Sequence, residues 1–92
     1  MRYRPRTDAN QPDIVKGLRD AGYTVWITSA LGTGVDIVAG KNGVNFMLEI
    51  KDPSKVPSQR RLTDDEAAFH AAWCGQIAVV ETLEASLEVC QE

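Results

Sequence analysis

Three residues of this chain have types and spacing suited to joint chemistry: Asp36, Glu49 and Lys51. Asp36 interrupts an otherwise apolar run, Val35-Asp36-Ile37-Val38, while Glu49 and Lys51 flank Ile50 at the end of a second apolar run. Alternate side chains of a β-strand share a face, so Glu49 and Lys51 are neighbours on the face opposite Phe46, Leu48 and Ile50. The segment Gly40-Lys41-Asn42-Gly43 reads as a hairpin turn between the two runs, which brings Asp36 within reach of Glu49. Two carboxylates converging in a half-buried place repel each other unless a divalent cation neutralises them. Oxygen-only donors favour Mg2+, with Mn2+ able to substitute. A lysine beside such a cation can hold an attacking water or stabilise charge growing on phosphorus oxygens. The trio therefore anticipates hydrolysis of a phosphodiester. The plainer alternative makes Glu49 and Lys51 the solvated face of an edge strand and Asp36 a turn residue; an acid inside an apolar strand, a hairpin, and Glu-Ile-Lys ending the next strand together favour the chemical reading.

The elements that must position these residues can be read from periodicity. Ile14, Val15, Leu18 and Ala21 fall on one helical face, with Asn10 as the expected N-cap, Pro12 in the first turn and Gly22 as the stop. Tyr23 to Thr28 is rich in β-branched and aromatic residues and predicts a first strand. Val35 to Ala39 and Val44 to Lys51 predict the second and third, paired antiparallel. Asp52 to Arg61 carries two prolines and reads as a loop. Thr63 with Glu66 forms a capping box, and Ala67, Phe69, Ala71, Ala72 and Trp73 carry that helix to Gly75. Gln76 to Glu81 predicts a continuous apolar strand, and Leu83 to Val89 a closing helix. This strand is expected to be buried, and a buried strand reached through a helical crossover lies parallel to its neighbour. The expectation is a single α/β domain spanning 1–92, order αβββαβα, with a mixed three- to four-stranded sheet flanked by helices.

Ninety-two residues, 43% apolar and 25% charged, suffice for one core and not for two. No apolar run approaches the roughly 18 residues a membrane span needs, and MRYRPRTDANQP has no apolar stretch behind its basic residues. We expect a cytoplasmic protein, with Cys74 and Cys90 reduced. The net charge of −3 is unevenly spread: residues 1–61 hold all ten Lys and Arg against six acids, whereas residues 62–92 hold seven acids and no Lys or Arg. The basic part could face a polyanion while the acidic part points away. Lys55, Arg60 and Arg61, in the loop before the second helix, are placed to grip phosphates. Arg2, Arg4 and Arg6 give residues 1–9 the character of a flexible basic arm.

These residues resemble the PD-(D/E)XK nuclease superfamily, especially its small VRR-Nuc and Holliday-junction-resolvase-like members of phages and bacteria. The resemblance spans nearly the whole chain. It runs through Asn10-Gln11, Gly17-Leu18-Arg19, Gly34-Val35-Asp36, Leu48-Glu49-Ile50-Lys51-Asp52, Pro57-Ser58, Arg60 and Leu62-Thr63 to Phe69 and Trp73. It implies a restriction-endonuclease-like fold in which Asp36, Glu49 and the Ile50 carbonyl bind metal and Lys51 is the catalytic lysine. Val35-Asp36 replaces the family's Pro-Asp. The acid often found on the first helix has no clear equivalent, which leaves Gln11, or failing it Asp8, as an outer ligand or water-positioning group and makes a second metal site doubtful.

The resulting expectation is a Mg2+-dependent deoxyribonuclease acting on branched or structured DNA, without an organic cofactor. A homodimer would suit the twofold symmetry of junctions. The competing class is a catalytically inactive nucleic-acid-binding or accessory module with the same fold. His70 and Cys74 sit at helical spacing after Glu66, yet too few further ligands accompany them for zinc; His70 or Glu66 could instead face the acidic site. Gly32-Thr33-Gly34 lacks the Gly-Lys-Ser/Thr and following helix of a phosphate-binding loop, so it eases entry to the second strand.

Overall fold

The chain folds in the order α1 (Gln11–Asp20), β1 (Thr24–Ile27), β2 (Ile37–Lys41), β3 (Val44–Ile50), α2 (Asp64–Ala72), β4 (Ile77–Val80) and α3 (Leu83–Val89). This is the expected αβββαβα succession. Short 3-10 turns at Ser29–Leu31 and Pro57–Gln59 lie in two of the connections. The computed structural model describes residues 8–32 and 34–91; Arg2, Arg4, Arg6 and Thr33 lie outside the described residues.

The four strands form one sheet in the order β1-β2-β3-β4. β1/β2 and β2/β3 are antiparallel, while β4, arriving through α2, lies parallel to β3. α1 packs on α3 and β1, and α3 on β4, so these two helices cover one sheet face. The core is the layer between them: Ile14, Val15 and Leu18 of α1 meet Val25, Ile37, Ala39, Phe46, Leu48, Ile50 and Val80. Each large side chain withdrawn there contributes roughly 1.5–3 kcal/mol. The opposite face carries Trp26, Val38, Met47, Glu49 and Val79, and α2 lies over only part of it.

Local chemistry explains the boundaries. Gly22, at φ 96°, closes α1 with a Schellman motif, in which Gly22 N–H donates to Arg19 and Tyr23 N–H to Leu18. Asn42 and Gly43 have φ of 57° and 80°, the two left-handed positions of a two-residue type I′ turn. Gly40 and Lys41 consequently stay in the ladder, and β2 runs two residues later than the expected 35–39. The capping box of α2 is present in both directions between Thr63 and Glu66. Two expectations need correction. Asn10 does not cap α1, because its backbone is already helical and its side chain is used elsewhere. β4 is an edge strand rather than a fully covered one: Val80 is 2% exposed but Val79 is 41% exposed, because nothing covers its outer side.

Candidate active site

The regular β2/β3 ladder ends with Ile37 opposite Leu48, and Asp36 lies immediately beyond it. The backbone of Asp36 is pinned on both sides. Its N–H donates to the Leu48 carbonyl at 3.0 Å, and its carbonyl accepts from Thr28 N–H at 2.8 Å. The Asp36 carboxylate accepts from Ile50 N–H at 2.7 Å, which orients it along the sheet edge toward Glu49. The two carboxyl groups stand within hydrogen-bonding reach of one another. Lys51 Nζ lies 3.4 Å from Glu49 Oε2 and 3.0 Å from Glu66 Oε1, with all three side chains largely withdrawn from solvent. Sequence spacing thus placed Asp36, Glu49 and Lys51 together, and of the two auxiliary groups it offered, Glu66 joins them while His70 turns to the Gly34 carbonyl.

Electrostatics follow from this packing. Burial, then the charges of Asp36 and Glu66, push Glu49 up to about 8. Burial also raises Asp36 above the usual carboxylate range, against the Ile50 N–H bond, and the nearby Asp8 charge adds to the rise. Burial alone would lower Lys51, but its hydrogen bond to Glu66 and the pull of Glu49 outweigh it, and its pKa is raised. Burial would likewise raise Glu66, yet the Thr63 N–H and Lys51 hold it below its ordinary value. At neutral pH the constellation is an ammonium fixed between an ionised Glu66 and a carboxyl pair that retains a proton.

Other polar groups surround the centre. Asn10 Nδ2 donates to the carbonyls of Lys51 and Glu81, at 3.1 and 2.8 Å, and so ties the head of α1 to the ends of β3 and β4. Only its identity as a potential cap was visible in the sequence. Gln11, 3% exposed, hydrogen-bonds Ser29 Oγ at 3.4 Å and neither carboxylate. It also lines a groove of about 510 Å³ with Val15, Arg19 and Ile27 on the α1 side of β1. Among the described residues neither Asn10 Oδ1 nor Gln11 Oε1, both buried, has a hydrogen-bond partner. Asp8 sits beside Asp36 electrostatically and pairs with Lys55 at 3.0 Å.

The expected phosphate-gripping residues are only partly free to act. Lys55 is held by Asp8, and Arg60 by Glu81 at 3.5 Å, while Arg61 is exposed. His70 stands 3.3 Å from the Gly34 carbonyl, away from any zinc arrangement with Cys74. Cys74 is exposed, Cys90 is buried, and both are free thiols. Among the described residues no helix is long and apolar enough to cross a membrane.

The donor chemistry fits a hard divalent cation. Two carboxylates that share a proton can exchange it for a metal charge. Among the described residues no group of three or more His, Cys, Asp or Glu is arranged as a metal cage. A cation bound here would complete its shell with backbone, water and phosphate oxygens, as magnesium does in phosphoryl-transfer sites. Comparison of the chain with protein-family models, with curated proteins and with solved structures finds no match in any of the three.

Proposed function

We propose that this chain is a metal-dependent DNA endonuclease that hydrolyses phosphodiester bonds, with branched or otherwise structured DNA as its substrate. The observation that carries the reading is the buried Asp36–Glu49 pair with Lys51 fixed beside it: burial, then the charges of Asp36 and Glu66, raise Glu49 to about 8. The αβββαβα order and the position of the trio at the end of the β2/β3 hairpin support a restriction-endonuclease-like fold. Asp36, Glu49 and the Ile50 carbonyl would hold Mg2+ or Mn2+, which when bound polarises a phosphoryl oxygen and makes water a stronger nucleophile.

The remaining work falls to the chain's own groups. Lys51 is kept protonated by Glu66 and Glu49, so it presents a fixed positive charge to phosphoryl oxygens as they gain negative charge. Asn10, through the Lys51 carbonyl, fixes the backbone from which that ammonium projects. Gln11 Oε1 would accept from a water in the outer shell.

One observation favours the alternative of a catalytically inactive DNA-binding module: Lys51, Lys55 and Arg60 are each neutralised within the chain. A panel of labelled junction, flap, duplex and single-stranded DNA, with Mg2+ and with Mn2+, separates the two. Cleavage of at least one substrate that stops on adding EDTA supports the nuclease. DNA binding without cleavage, and no heat of Mn2+ binding with or without DNA, supports the inactive module.

A further inference from the structure

The pairing register lays out rows across the sheet. Trp26 pairs with Val38, Val38 with Met47, and Met47 with Ile77, so these residues form one transverse row. Trp26, Val38 and Met47 carry it on the face that α1 and α3 leave open. Glu49 lies on that same face two residues along β3, a step of about 6.6 Å, with the Asp36 carboxyl within hydrogen-bonding reach of it.

Above the Trp26 row lies a groove of about 370 Å³, walled by Trp26 and Trp73, floored by Val38 and Met47, and rimmed by the amides of Asn45 and Gln76. Trp26 is 61% exposed and Trp73 44% exposed. Trp73 is fixed in place, since it stacks on Phe69 with ring centroids 5.7 Å apart and its indole nitrogen lies where a Cβ on Gly75 would stand. Among the described residues no side chain lining the groove is charged, so it suits a flat, uncharged heterocycle and not a phosphate.

We propose that this groove takes an unpaired nucleobase of the strand being cut, one nucleotide from the phosphate held at Asp36, Glu49 and Lys51. The inference rests on the nuclease reading for the position of that phosphate. Trp26 and Trp73 supply stacking faces, which any base satisfies, and Asn45 and Gln76 offer donors and acceptors to its edge. A base still paired in a duplex cannot enter, because its edge is occupied and its faces are stacked on its neighbours. The enzyme would therefore require a single-stranded or extruded nucleotide beside the cut, which is what branch points and flaps provide.

Both of the chain's tryptophans line this groove, so intrinsic emission reports on it directly. The test titrates the full chain, in EDTA, with a single-stranded oligonucleotide and with the same strand made of abasic residues, which keeps the phosphates and removes the bases. The expected result is quenching by the first strand and little by the second, with Trp26→Ala weakening binding at least about fivefold and Trp26→Phe restoring most of it. Equal quenching by both strands, or unchanged binding by Trp26→Ala and Trp73→Ala, overturns the groove. So does sedimentation showing a dimer that Trp26→Ala dissociates, because the face would then be a subunit interface. Base-dependent quenching without metal-dependent cleavage of any substrate upholds the groove and overturns the nuclease reading; cleavage without base-dependent quenching does the reverse.

Discussion

Replacing Glu49 by Gln keeps the side chain's shape and removes the charge that burial opposes. In the folded chain Glu49 is raised from 4.5 to about 8, first by burial and then by the charges of Asp36 and Glu66. Between those two pH values the folded chain holds a proton that the unfolded chain has released, so stability is fully present below about 4.5 and declines as pH rises toward 8. At roughly 1.4 kcal/mol for each pH unit crossed, the loss over that window is on the order of a few kcal/mol. Glu49→Gln does not titrate and escapes it. For a domain of this size 1 kcal/mol corresponds to about 4–8 °C in Tm, so the metal-free variant should melt at least about 5 °C above the wild type at pH 8. The gap should close near pH 4.5, where both forms are neutral at this position. Thermal denaturation followed by circular dichroism in EDTA, at half-unit steps of pH, measures the difference between the two proteins and cancels titrations that Glu49 does not influence. Adding Mg2+ at pH 8 should then raise the wild-type Tm and leave the variant unchanged. A gap that is the same at pH 5 and pH 8 refutes the claim that Glu49 is held in a charge-poor, buried pair.

Glu66→Gln keeps a capping-box residue at that position, so urea denaturation should show a loss below about 1 kcal/mol. Because Lys51, lowered by burial, is raised overall by Glu66 and Glu49, the variant should lose cleavage at a lower alkaline pH than the wild type; an unchanged alkaline limb removes Glu66 from the site. Gly34 has φ 95° and a Cβ there would lie 2.9 Å from Phe69 Cγ, so Gly34→Ala should cost about 1–3 kcal/mol through backbone strain, with displacement of α2 in addition. Gly43→Ala, where φ is 80° and open space surrounds the position, should cost less in the same urea series. Leu48, 0% exposed at the centre of the core, should lose about 2–5 kcal/mol on change to Ala. A loss below about 1 kcal/mol would contradict its place there.

What the sequence made legible was largely local. Asn42-Gly43, the Thr63/Glu66 capping box and Gly22 each encode a backbone geometry within four residues, and each is realised. The convergence of Asp36 and Glu49 was also readable, because a two-residue turn fixes the register of the hairpin and register fixes which side chains face each other. The long-range polar contacts were not readable. Asn10 looked like a helix cap, yet its donors serve carbonyls 41 and 71 positions away. Lys55 and Arg60 read as free cations, but whether a cation is free depends on which acids the fold returns to it, here Asp8 and Glu81. The apolar run of β4 suggested full burial, whereas strand order, which local pattern does not specify, left it at an edge. The same holds for Trp26 and Trp73, 47 positions apart in the sequence and brought to one groove by the sheet and the end of α2.

The most direct test compares wild-type and Lys51→Ala protein on the same labelled branched DNA with Mg2+, measuring cleavage and binding side by side. The wild type should cut, and Lys51→Ala should bind with little loss yet not cut, because only the charge facing the scissile phosphate has been removed. Cleavage by Lys51→Ala at the wild-type rate, or no Mg2+-dependent cleavage by the wild type, would contradict the role given to Asp36, Glu49 and Lys51.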